Sequence, residues 1–272
     1  EEQKKTEETP TIHFKTLLCQ LNPKYKEVEY NLKRAEVSLS KYSKDDQLDV
    51  ILFAEMAFTG YIFENRDDIR PLCEEAGKGK IFAFCSNLAQ RLSCYVMCGY
   101  PEIYFEKENK KEHFYNSLYV IDREGKLYHN YRKHFLYEND HAWAEEGPSF
   151  QAIELTNSEG VKFKAALAIC MDINPYEFKD SSKFELAEFC KKENIDALFF
   201  SCAWIDDEPE VQGKEAVGKH IRYWLYRLYP LMADEKDSTR YKKKWVLFCT
   251  NRVGKEKNTT FCGSSCCVRV NP

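Results

Sequence analysis

At 272 residues the chain is long enough to bury a sizeable core, in one large domain or two. Its 43% hydrophobic and 31% charged residues describe a soluble globular protein, and a net charge of -4 without a basic stripe argues against nucleic acid as a partner. No apolar run approaches the roughly 18–20 residues that cross a bilayer, so no membrane association is expected.

From the N-terminus, Glu1–Pro10 is polar and charged, unlike a signal peptide, and reads as a loose tail before a single domain over residues 11–272. Phe14–Leu21 is a predicted strand. Lys26–Tyr42 is a predicted amphipathic helix, with Val28, Leu32, Ala35 and Leu39 on one face. Asp49–Phe53 reads as a buried strand that ends at Glu55, Lys80–Leu92 as a helix, and Cys94–Gly99 as the next strand. Phe114–Ile121 and Lys126–Tyr131 flank Arg123-Glu124-Gly125, a hairpin turn. Lys162–Cys170 is a strand, Ser182–Asn194 a helix and Ala197–Cys202 a strand, with Lys244–Thr250 and Cys262–Val270 supplying two more. Ile205–Lys219 and Ala233–Lys243 read as polar surface insertions around the aromatic segment Tyr223–Tyr229. Continuously apolar strands alternating with helices predict an α/β fold covered on both sheet faces, and the hairpin makes the sheet mixed.

The twelve cysteines are scattered through apolar strands of a long chain. They read as small hydrophobes in a reducing cytoplasm rather than as a disulfide framework. Cys262, Cys266 and Cys267 cluster without C-x2-C spacing or a histidine at ligand distance, so no metal site is expected.

Three residues stand where chemistry could be done. Cys170 closes the apolar run Ala165–Ile169 and opens into Met171-Asp172-Ile173-Asn174-Pro175, the pattern of a strand delivering a thiol to a sharp turn before a helix. Glu55 leaves the run Val50–Ala54 in apolar company; it is either a cap of the following turn or a carboxylate whose raised pKa suits a general base. Lys133, in Tyr131-Arg132-Lys133-His134, reads alone as half of a surface pair. Beside a thiolate it would instead stabilise that thiolate and an oxyanion.

These segments resemble the glutamate, lysine and cysteine motifs of the nitrilase (carbon–nitrogen hydrolase) superfamily. The likeness runs through Phe53-Ala54-Glu55 with Thr59-Gly60-Tyr61, through Tyr131-Arg132-Lys133 and through Ile169-Cys170-Met171-Asp172. Thr250-Asn251-Arg252-Val253-Gly254 and Phe261–Ser265 look like its closing motifs, so the likeness covers nearly the whole chain. It implies a four-layer αββα sandwich built on two mixed β-sheets and a Cys-Glu-Lys triad that needs no cofactor. It also implies an auxiliary glutamate in Trp143-Ala144-Glu145-Glu146-Gly147, with Glu146 preferred over Glu145. Relatives usually continue past the position of Asn271-Pro272 with a further strand pair and tail.

Within the superfamily, Cys170-Met171-Asp172-Ile173-Asn174-Pro175-Tyr176-Glu177-Phe178, Ala203-Trp204 and Tyr223-Trp224-Leu225 resemble the branch that deamidates N-terminal Asn and Gln. Branches acting on amides of free carboxylic acids commonly carry an arginine four residues after the nucleophile; here that position is Asn174, which cannot form a charge-assisted clamp. The resemblance therefore implies protein or peptide substrates beginning with Asn or Gln, and a place among N-degron components such as arginyltransferase. It also implies an oxyanion donor in the backbone of Met171. For the substrate α-ammonium, Asp172, Glu64, Tyr61 and Trp204 are candidates, Asp172 equally as a structural anchor. An amidase of small molecules and a catalytically silent scaffold are the competing readings.

Overall fold

The computed structural model describes residues 12–206, 213–232 and 243–270. Within them the chain runs β1 (Thr16–Cys19), α1 (Val28–Leu39), β2 (Val50–Phe53), α2 (Arg66–Ile69), α3 (Lys80–Leu92), β3 (Tyr95–Phe105), β4 (Glu112–Ile121) and β5 (Leu127–Arg132). It continues through β6 (Gln151–Thr156), β7 (Lys162–Ile169), α4 (Glu185–Glu193), β8 (Ala197–Cys202) and α5 (Gly213–Arg227). The last strands are β9 (Trp245–Asn251), β10 (Val253–Glu256), β11 (Thr259–Cys262) and β12 (Cys266–Val270).

Two five-stranded sheets form, in the orders β1-β2-β3-β4-β5 and β12-β9-β8-β7-β6, and β10-β11 is a separate ribbon. β1, β2 and β3 are parallel, as are β7, β8 and β9, while β3-β4, β4-β5, β6-β7 and β9-β12 pair antiparallel, so both sheets are mixed. Val50–Phe53 is wholly buried because β2 lies inside one sheet and packs on β8 and β9 of the other. One core joins Val50, Leu52 and Met97 of the first sheet to Leu167, Phe199 and Leu247 of the second. Side-chain bonds stitch the layers as well: Ser201 Oγ donates to the Phe53 carbonyl at 3.0 Å and Thr250 Oγ1 to that of Leu52 at 3.2 Å.

Helices cover the outer faces. α1 buries Val28, Asn31, Ala35 and Leu39, and α3 buries Ile81, Cys85, Leu88, Ala89 and Leu92, the spacing of one helical stripe. α3 and α4 end at Ser93 and Asn194, both left-handed. α4 and α5 pack on the second sheet through Leu186, Ala187 and Trp224. The result is the αββα layering.

Several boundaries differ from expectation. The strand expected over Cys262–Val270 breaks at Gly263 and Ser264, which have φ of 64° and 60°. Cys94–Gly99 extends to Phe105, and β6, α2 and the β10-β11 ribbon carried no clear sequence signal. The presumed insertion Ile205–Lys219 turns helical from Gly213, since α5 runs straight through the aromatic segment and buries His220, Trp224 and Arg227. Of the other polar stretches, residues 1–11, 207–212 and 233–242 lie outside the described residues. Cys170 opens two short 3-10 turns, Cys170–Ile173 and Tyr176–Phe178, and the helix beyond starts only at Glu185. Among the described residues no helix is long and apolar enough to cross a membrane.

Candidate active site

Three of the parallel strands deliver functional groups at their carboxyl ends, and the antiparallel β5 delivers a fourth. β2 ends two residues before Glu55, β7 one before Cys170, and β8 one before Ala203, while Lys133 directly follows β5. Gly99 of β3 makes this approach possible: a side chain there would stand 2.6 Å from the Glu55 Cα and 2.7 Å from the Ala54 carbonyl oxygen.

Glu55 and Lys133 are fully buried. Lys133 Nζ donates to Glu55 Oε1 at 2.7 Å and to Asp140 Oδ2 at 2.6 Å. Asn116 Nδ2 donates to the same Glu55 oxygen at 2.7 Å and to Asp140 Oδ1 at 3.0 Å, and the Asn116 backbone carbonyl accepts from the Lys133 N–H. The remaining Glu55 oxygen accepts from the Ala203 N–H at 2.7 Å. Burial, chiefly, holds the Glu55 carboxyl above the usual carboxylate range; the Asp140 charge adds to this, and Lys133 and Asn116 oppose it. Burial pulls the Lys133 ammonium down, but Asp140 and Glu55 together hold it well above its ordinary value, so it stays charged.

Cys170 sits at φ 41°, a left-handed conformation strained for a residue with a side chain. Backbone strain of this kind is found where a reacting group must be presented out of the strand direction. The register pairing Ile169 with Ser201 brings Cys170 beside Cys202. The Cys202 thiol pulls the Cys170 pKa down most strongly, yet burial and the Glu55 charge carry it above the ordinary thiol range, with Lys133 and the Ala203 N–H again opposing. A thiol held up beside a carboxyl held up is suited to exchanging one proton between them.

A cavity of about 330 Å³ opens over this thiol, lined by Cys170, Met171, Asn174, Trp204, His220 and Tyr223 among others. That volume suits a small ligand or the end of a chain. Asn174 Oδ1 accepts from the Tyr223 hydroxyl at 2.6 Å, and the Trp204 ring lies 5.7 Å from those of Tyr223 and Trp224. Lys219 also reaches this cavity. A larger cavity of about 790 Å³ beside Glu102 and Arg132 contains none of Glu55, Lys133 and Cys170. The smaller one is therefore the candidate site.

The expected residues distribute unevenly. Met171, Asn174 and Trp204 line the cavity, and Tyr61 is buried beside Lys133, whose Nζ lies 5.9 Å from the ring centroid. Asp172 is an anchor rather than a substrate contact. It is fully buried and accepts from the Ile169, His134 and Phe135 N–H groups and from the Tyr131 hydroxyl, at 2.7, 3.1, 2.8 and 2.8 Å. Glu64 is exposed and pairs with Lys257 at 2.9 Å, away from the cavity.

Glu146 is also corrected. Trp143 and Ala144 turn inward into an apolar cluster, which leaves Glu146 exposed and bonded to Tyr176. Glu145 pairs with Arg66 at 2.8 Å and His113 at 2.7 Å. The second carboxylate on Lys133 is Asp140, seven residues after the lysine, where a 3-10 turn over Asp140–Ala142 points it inward. Asn116 was likewise unanticipated; a polar residue in the buried center of β4 was the signal available. Among the described residues no group of His, Cys, Asp and Glu could hold a metal.

Residues 16–178 match the family described as Carbon-nitrogen hydrolase. The chain is 31% identical over 268 residues to the Protein N-terminal amidase of Schizosaccharomyces pombe, covering 93% of this chain and 90% of that one. It is 33% identical over 213 residues to the Protein N-terminal amidase of Saccharomyces cerevisiae, covering 72% of this chain and 46% of that one. A crystal structure of an N-terminal amidase with an Asn-Glu-Ala peptide superposes with a TM-score of 0.82 at 23% identity, covering 94% of this chain and 90% of that one, which establishes the common fold.

Proposed function

The chain belongs to the carbon–nitrogen hydrolase family and is a hydrolase of amide carbon–nitrogen bonds; from this we propose that it converts N-terminal Asn or Gln of proteins and peptides to Asp or Glu. The observation that carries this reading is the wall above Cys170. The position that would hold a charged clamp for a free carboxylate is Asn174, and its side-chain oxygen is engaged by Tyr223. Such a wall suits a substrate whose carboxyl end continues as a peptide. The names of the two yeast relatives, and of neighbouring structures holding Asn- and Gln-initiated peptides, support the same reading.

In the proposed reaction Glu55 takes the Cys170 proton, and the thiolate attacks the carboxamide carbon. The ammonium of Lys133 and the N–H of Met171 hold the oxyanion. Glu55 then returns the proton to the departing ammonia, leaving a thioester on Cys170. Water, deprotonated by Glu55, attacks the thioester; the carboxylic acid leaves and the thiol is restored. Asp140 stabilises the Lys133 charge throughout, and Asn116 fixes both carboxylates.

The product is an acidic N-terminus, the kind of end that an arginyltransferase extends, so we place the enzyme upstream of such a step in an N-degron route. Twelve free thiols suit the reducing cytoplasm. A second reading, hydrolysis of a small amide bearing a free carboxylate, is favoured by Lys219 at the cavity. Ammonia release distinguishes them. Asn- and Gln-initiated peptides should be substrates, while their Nα-acetylated forms and free glutamine should not; activity confined to free amides would refute the peptide reading.

A further inference from the structure

The Tyr61 hydroxyl is buried with no hydrogen-bond partner among the described residues, and its residue is only 1% exposed. Leaving a buried hydroxyl unpaired is costly, and a native structure rarely does so without a use for it. The groups around it are the reacting ones. Lys133 Nζ lies 5.9 Å from the ring centroid, and the buried carboxyls of Asp140 and Glu55 act on the hydroxyl electrostatically. Burial, ahead of those charges, pushes the phenol well above its ordinary range, so it remains a neutral donor.

The backbone of Tyr61 is fixed from outside the site. Glu256 Oε1 accepts from the Tyr61 N–H at 2.8 Å and the Ile62 N–H at 2.6 Å. Its other oxygen accepts from buried Arg252 at 2.7 Å, and the Arg252 guanidinium lies 3.9 Å from the centroid of Phe261, itself edge-on to Tyr61. Gly60, at φ 88°, lets the chain pass: a side chain there would stand 2.7 Å from the Tyr25 ring and 3.0 Å from Glu256 Oε2. Arg252 belongs to the closing motif Asn251–Gly254, to which the reaction above gives no task.

We propose that the Tyr61 hydroxyl donates to the oxyanion formed when Cys170 attacks the carboxamide, and that Glu256, held by Arg252, is the positioning residue for it. The proposal rests on the amide hydrolysis argued above. It adds a third donor beside Lys133 and Met171 and leaves the proton and ammonia steps unchanged.

Tyr61→Phe tests it with an Asn-initiated peptide. Loss of an oxyanion donor should lower kcat about a hundredfold and leave KM within about threefold. The Tm should stay level or rise, because the lost hydroxyl had no partner to lose. A Tyr61→Phe enzyme with kcat within about threefold of wild type overturns the proposal. Glu256→Gln should lower kcat about tenfold in the wild-type background and less than about twofold on top of Tyr61→Phe, because both act on one hydroxyl. Glu256→Asp gives the same comparison if Glu256→Gln does not accumulate, and full additivity overturns the positioning role. Wild-type activity is measured first: if only a free amide is cleaved, the peptide reading fails, and Tyr61→Phe assayed on that amide still decides the hydroxyl's role.

Discussion

Asp140 Oδ2 lies 2.6 Å from Lys133 Nζ, in a site where neither side chain is exposed. Two carboxylates, Glu55 and Asp140, thus share one ammonium, and a single amide, that of Asn116, bonds to both. The arrangement divides the labour. Asp140 keeps the lysine charged, and in the proposed reaction Glu55, with its carboxyl held up by burial, exchanges the proton with Cys170.

Asp140→Asn should therefore lower kcat/KM about a hundredfold or more, since one partner of a buried ion pair is removed. The sign of its pH effect is fixed as well. The Asp140 charge raises the Glu55 pKa, so its loss lowers that pKa and shifts the acid limb of kcat/KM to lower pH. Glu146→Gln, by contrast, should leave activity within about twofold, as expected of an exposed side chain. The paired pH–rate profiles check both statements.

Cys202 has the largest single influence on the Cys170 thiol, and it is a lowering one. Cys202→Ala should raise the Cys170 pKa further. The pH dependence of inactivation by iodoacetamide, with substrate protection to isolate Cys170, measures this. A midpoint that stays fixed or falls contradicts the thiol contact.

Asp172→Ala should destabilise the fold by about 3–5 kcal/mol, because it leaves three backbone N–H groups and the Tyr131 hydroxyl to find new partners. For a chain of this size that is a Tm fall of roughly 10 °C. Calorimetry of the variant gives the answer. A substrate contact would instead raise KM at constant Tm.

Asn174→Arg places a guanidinium in the cavity wall and breaks the bond from Tyr223. Peptide turnover should fall at least about tenfold, and the ratio of free-amide to peptide turnover should rise. Competition between an Asn-initiated peptide and free glutamine reads that ratio directly.

The sequence made Cys170 and Glu55 legible because each follows an apolar strand, where a polar side chain is conspicuous; Lys133 follows the mostly polar strand Leu127–Arg132 and was legible only through the family motif. Asp140 was not legible. It lies in a polar loop with Glu138, Glu145 and Glu146, and only tertiary packing decides which carboxylate turns inward. Asn116 was hidden for the opposite reason, being one polar residue inside a strand already assigned to the core. The first turns of α5 carry Lys214, Glu215 and Lys219 and so read as surface, although its His220, Trp224 and Arg227 keep helical spacing. The break at Gly263–Ser264 had a signal of its own, the turn-forming cluster Gly263-Ser264-Ser265 inside the segment read as one strand.

The most direct measurement of the central claim is mass spectrometry of an Asn-initiated peptide incubated with wild-type enzyme and with Cys170→Ala. The account predicts conversion of the N-terminal Asn to Asp by the wild type alone, with one ammonia released per peptide. Conversion by Cys170→Ala at the wild-type rate, or an untouched peptide with active wild-type enzyme, would contradict it.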